Sequence, residues 1–93
     1  MTKTIYKYSV PIDDDGRVVA MPHLAELLTV QIQVDEPVLW ALVNPEYYLE
    51  PRRFRWFGTG RPVKGKPGCA LRFVGTVQMA GGSLVFHLFE EIG

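Results

Sequence analysis

The clearest pattern of apolar and polar positions lies near the C-terminus, in ALRFVGTVQMAGGSLVFHLFEE, residues 70–91. Two apolar runs flank Gly81-Gly82, a dipeptide suited to the positive φ angles of a type I′ hairpin turn. Bending the chain there sets Met79 opposite Leu84, Val77 opposite Phe86 and Gly75 opposite Leu88. Together with Leu71 and Phe73 these residues make one large apolar face. Arg72, Val74, Thr76, Gln78, Val85, His87 and Phe89 fall on the other. A one-residue slip would exchange the faces, so the pattern specifies the register. Gly75 in mid-strand marks a bulge or a close approach of another segment.

The same alternation recurs upstream. Tyr6, Tyr8, Val10 and Ile12 alternate with Lys7, Ser9 and Pro11, and Asp15-Gly16 is a second hairpin signal that sets Ile12 opposite Val19 and Val10 opposite Met21. Pro11 lacks an N–H, which places this strand at a sheet edge. His23 to Leu27 has room for one helical turn at most. Leu28 to Val34 and Pro37 to Val43 form a third hairpin about Asp35-Glu36, with Ile32 by Leu39, Val30 by Ala41 and Leu28 by Val43. Its second face, carrying Trp40 and Leu42, is half apolar, so it is covered on both sides or lies in an oligomer contact. Residues 44–51, NPEYYLEP, read as a connection, and Arg52 to Phe57 as a strand with Phe54 and Trp56 opposite Arg53, Arg55 and Phe57. The glycine- and proline-rich residues 58–68 read as the loosest loop. About seven short strands built from hairpins, without a convincing helix, predict a small all-β antiparallel sandwich or barrel.

Length and composition narrow the setting. Ninety-three residues suit one domain, residues 1–93. The lone Cys69 gives no disulfide framework, and no apolar run reaches the roughly 18 residues of a membrane span. The expectation is a soluble protein of the cytoplasm. Net charge is zero, yet segregated: eight acids and one base lie between Asp13 and Glu50, then seven bases and no acid between Pro51 and Arg72. Such asymmetry fits an anion-binding surface, or two blocks that neutralise each other.

No catalytic or metal motif stands out. Cys69 with His23 or His87 lacks the signature of an activated thiol, and two histidines with one cysteine lack zinc-ligand spacing. The Asp13–Asp15 run lacks the spaced oxygens of a calcium loop. The expectation is therefore no enzyme, no metal and no cofactor. The anion-site candidate is Gly58-Thr59-Gly60-Arg61, where glycines let backbone N–H groups approach a phosphate and Arg61 can form a bidentate contact. Arg53 and Arg55 would add positive field. Interleaved with Phe54, Trp56 and Phe57 they resemble a single-strand nucleic-acid surface, but the strand period sends rings and cations to opposite faces. His87 faces Thr76, either as a ligand contact or satisfied by that hydroxyl. Trp40, Tyr47 and Tyr48 are candidate interface anchors.

LWALVNP, Phe54, GTGRP and FVGTVQMAGGSLVFHLFE together resemble a family of small uncharacterised phage and prophage proteins of about this length. The family often carries His where this chain has Arg61, a departure that argues against one fixed chemical role there. The resemblance implies a phage accessory protein in the host cytoplasm, acting by binding: a counter-defence or host-modulating protein that sequesters a small anion such as a nucleotide messenger or engages a host defence protein, most simply as a homo-oligomer. The alternative is a structural virion or assembly protein that binds other proteins through sheet edges.

Overall fold

The computed structural model describes residues 2–93, and within them seven strands form two antiparallel sheets. They are β1 (Thr4–Ser9), β2 (Arg17–Pro22), β3 (Glu26–Gln33), β4 (Glu36–Val43), β5 (Leu49–Gly58), β6 (Ala70–Met79) and β7 (Leu84–Ile92). One sheet has the order β1-β4-β3 and the other β2-β5-β7-β6. The result is an open sandwich, not a closed barrel.

Alternation along each strand supplies the two inner faces. Leu39, Ala41, Val43 and Val30 from the first sheet form one core with Met21, Phe54, Trp56, Val77 and Leu88 from the second, joined by Val10 of the connecting segment. Phe54, Met21, Leu39 and Leu88 are fully buried. Trp56 Nε1 donates to Val10 O at 3.0 Å, so its ring enters the core with its one polar atom satisfied.

The C-terminal hairpin keeps the expected register: Met79 faces Leu84, Val77 faces Phe86 and Gly75 faces Leu88. Its connection is wider than a two-residue turn. Ala80, Gly81 and Gly82 all have positive φ in a short 3₁₀ turn that Ser83 closes onto Ala80 O. Leu71 and Phe73 depart from expectation. A bulge between Phe73 and Gly75 reverses the alternation, so Phe73 faces Phe89 and lies on the outer face, in edge contact with that ring at 5.4 Å. Gly75 provides both the irregularity and the close approach: a Cβ there would stand 2.6 Å from Val30 Cγ1.

Two other hairpins are corrected. β1 and β2 do not pair across Asp15-Gly16; β1 pairs with β4 and β2 with β5, so residues 10–16 carry the chain from one sheet to the other. The crossing is fixed by Val10, whose N–H bonds to Pro37 O and whose carbonyl accepts from Trp56. The β3–β4 turn sits at Val34-Asp35, both at positive φ, with Gln33 facing Glu36. Ile32 therefore faces Pro37, two positions from the expected Leu39, and the faces are preserved as far back as Thr29; beyond it a bulge at Leu28 puts Leu27, not Leu28, opposite Ala41 on the inner face. β5 begins earlier than expected, at Leu49, and includes Pro51 opposite Ala20. Its β7 partner starts only at Arg53, so the proline has a strand on one side alone.

Candidate functional site

The basic segment divides by face. Arg52, Phe54 and Trp56 turn inward, while Arg53, Arg55 and Phe57 turn outward. Arg52 makes a bidentate pair with Glu90, 2.9 Å for the Nη2–Oε1 contact, and donates from Nη1 to Ala25 O at 2.6 Å. Hydrogen bonding to Glu90 raises the Arg52 pKa, outweighing the opposing effect of burial. On the outer face Arg55 Nη2 lies 3.3 Å from Glu91 Oε1, and Lys66 N donates to Glu91 Oε2 at 2.9 Å. Burial would push the Glu91 carboxyl up, but the Lys66 N–H and the Arg55 guanidinium together hold it below its ordinary value. The basic block is thus neutralised in part by Glu90 and Glu91 of the last strand. Its hydrogen bonds to the acidic block go to backbone oxygens, Arg52 to Ala25 O and Arg55 to Asp14 O, and no salt bridge joins the two blocks among the described residues.

Glu91 also anchors the loop that precedes β6. Gly65 packs so closely that a Cβ would meet Leu71 Cδ2 at 3.0 Å and Glu91 Oε2 at 3.3 Å. Lys66-Pro67-Gly68-Cys69 closes a turn through Cys69 N to Lys66 O, with proline and a positive-φ glycine at its two central positions. The segment expected to be loosest is thus held as a strap against Leu71 and Glu91.

Gly58-Thr59-Gly60-Arg61 forms a second turn, closed by Arg61 N to Gly58 O at 3.1 Å, and Gly60 has φ +84. Thr59 N donates to Val85 O, also at 3.1 Å. Two of the N–H groups expected to hold an anion are therefore engaged within the chain. What the turn offers is the Arg61 side chain, which is exposed and has no acidic side chain in salt-bridge range among the described residues. Arg61 stands between two adjoining depressions of about 400 and 420 Å³ that share Gly58, Arg61 and Phe86. Arg55 and Asp14 complete the first, and Thr59, Ser83 and Leu84 the second. β2 stops opposite Phe54, so β5 runs on from Arg55 to Gly58 with an open edge beside this groove.

The structure brings Gly58, Thr59, Arg61 and Arg55 together and sets Arg53 apart, exposed on the outer face. His87 joins them through Thr59. Its Nε2 lies 2.8 Å from Thr59 Oγ1 and its Nδ1 2.8 Å from Thr76 Oγ1, so a neutral ring donates to one hydroxyl and accepts from the other. Trp40 lies at the centre of the outer face of the first sheet, between Lys7 and Thr29. Tyr47 and Tyr48 both lie against the His23 ring.

The His23 cluster escaped sequence reasoning. Tyr48 stacks on His23 at 4.6 Å, its hydroxyl lies 2.9 Å from His23 Nδ1, and Glu50 Oε2 lies 3.2 Å from the same nitrogen. The pairing of Pro22 with Leu49 and the bond from His23 N to Tyr48 O bring these residues together, and no short-range spacing signals it. Among the described residues no three His, Cys, Asp or Glu side chains gather as a metal site. No helix among them is long and apolar enough to cross a membrane.

No curated protein and no solved structure matches the chain significantly. Residues 1–93 match one family throughout, and the chain belongs to that family, the domain of unknown function DUF7352.

Proposed function

We propose that the protein acts by binding rather than by catalysis, and that its ligand is a small anion with a planar ring, such as a nucleotide. One observation carries this reading: among the described residues Arg61 has no acidic partner and stands beside Phe86 in a groove, while Arg52 and Arg55 of the same basic segment are engaged by internal carboxylates. The guanidinium would take a phosphate through a bidentate contact and the Phe86 ring would pack on the base. Arg55, already held by Glu91, contributes field. In the phage setting implied by the family resemblance, such a protein would sequester a host-made nucleotide messenger in the host cytoplasm. Sequestration requires affinity alone.

The test is a titration of the purified chain with a panel of linear and cyclic nucleotides, followed by native mass spectrometry and calorimetry. At least one nucleotide should bind in a fixed ratio, be released unchanged on denaturation, and lose about tenfold or more affinity on Arg61→Ala with the melting temperature unmoved. A chain that binds none of them, or binds equally well without Arg61, would refute the reading.

A second reading rests on the outer face of the first sheet, where half-buried Trp40 and Leu42 with exposed Ile5 form an apolar patch flanked by Lys7 and Thr29. Such a patch suits a contact with another copy of the chain, as a structural or assembly protein would make. Light scattering of wild type and Trp40→Gln separates the two: a dimer that falls to monomer supports the structural reading.

A further inference from the structure

The two sheets come closest where Val30 of β3 meets Gly75 of β6. That approach needs only a missing Cβ. Both strands nevertheless break register beside it, β3 between Leu27 and Thr29 and β6 between Phe73 and Gly75. The extra residues are Leu28 and Val74. Both line a single cleft of about 260 Å³ between the sheets, together with Leu27, Ala25, Arg52 and Arg72. A bulge re-aims side chains and interrupts pairing, and these two set Leu28 and Val74 on the walls of that cleft.

Among the described residues, the cation of the cleft without an ion pair is Arg72. Arg52 is charge-paired with Glu90 and also donates to Ala25 O. Arg72 faces Glu90 across the β6–β7 ladder, which puts it on the inner face of its sheet. It is exposed at the mouth and makes no ion pair or side-chain hydrogen bond among the described residues. Glu26 contributes to the wall, but it faces Leu42 and so lies on the outer face of the first sheet. Behind Arg72 the lining is apolar: Leu27 and Val74 pack against the core, and Leu28 projects from its bulge.

We propose that this cleft is a binding site for a small organic carboxylate with a short apolar tail. The carboxylate pairs with the Arg72 guanidinium, whose planar fork matches its two oxygens, and the tail lies against Leu27, Leu28 and Val74. Drug-sized ligands occupy sites of about 300–1,000 Å³, so this one takes a smaller molecule. The cleft meets β5 at Arg52 and the Arg61 groove meets it from Arg55 to Gly58, with no lining residue in common, so the site is separate from that groove and independent of the reading given to it.

Hexanoate, hexanol and acetate are the probes, followed by amide chemical shifts of the full chain. Hexanoate should give saturable shifts confined to residues 25–28, 52 and 72–74, with hexanol and acetate weaker by about tenfold or more. Arg72→Gln, a surface change that leaves the fold intact, should reduce hexanoate to the level of hexanol, and Val74→Trp should fill the cleft and abolish both. The proposal is overturned if millimolar hexanoate shifts none of these amides, if hexanol binds as well, or if Arg72→Gln leaves hexanoate unchanged.

Discussion

Gly75 has the least room of the glycines in the fold. Gly75→Ala would place a methyl 2.6 Å from Val30 Cγ1, and overpacking of this kind costs about 1–3 kcal/mol. The loss should be less than additive with Val30→Ala, because shortening the valine makes the space the new methyl needs. Urea denaturation of the two single variants and the double gives the coupling, and strictly additive losses would show that the contact is not what constrains position 75. Val34 presents the opposite case. It is a β-branched residue at φ 48, a region such side chains avoid, and it is almost entirely exposed, so nothing packs to compensate. Val34→Asn should stabilise by about 1 kcal/mol, raising the melting temperature by roughly 4–8 °C in a domain of this size.

At the scale of elements, the strap across the second sheet depends on Glu91. Its carboxyl is held below the ordinary 4.5 in the folded chain, so the unfolded chain takes up the proton more readily. The resulting stabilisation is complete above the unfolded value and is lost as the pH falls through it and then through the lower folded one. A series of melting temperatures from neutral to acid pH should fall through that window in wild type and be flatter in Glu91→Gln. At neutral pH the variant leaves Arg55 without its charge partner and should be less stable by about 3 kcal/mol. Trypsin should then cut after Lys64, the one base of the loop not followed by proline, faster than in wild type.

What was legible in the sequence follows the range of the interactions. The β6–β7 register is local and its faces differ strongly, so alternation alone located it. The bulge at Val74 answers to Val30, more than forty residues away, and Leu71 and Phe73 could not announce that they face outward. The Asp15-Gly16 signal failed for the same reason: residues 10–16 carry turn chemistry suited to a hairpin and equally to a crossing between sheets, and the choice is made by the β1–β4 and β2–β5 pairings. Candidate site residues on one turn were found together, whereas the carboxylates that occupy Arg52 and Arg55 come from the far end of the chain.

At the scale of the whole molecule, the segregated charges of the sequence become a field. Two arginines of the basic block are cancelled by Glu90 and Glu91, which leaves Arg53, Arg61, Lys64, Lys66 and Arg72 exposed. A bound nucleotide would feel these cations in two ways that salt distinguishes. Arg61 acts by contact in a groove, where ions screen poorly; Lys64 and Lys66 act across solvent, where the screening length is about 10 Å at 0.1 M salt. Arg61→Ala should therefore weaken binding by a factor that changes little with ionic strength, while Lys64→Ala with Lys66→Ala should weaken it mainly at low salt and chiefly through the association rate. Stopped-flow titrations at low and high salt separate the two. If the lysine pair mattered as much as Arg61 at high salt, direct contact would have to be assigned to the strap instead of the turn.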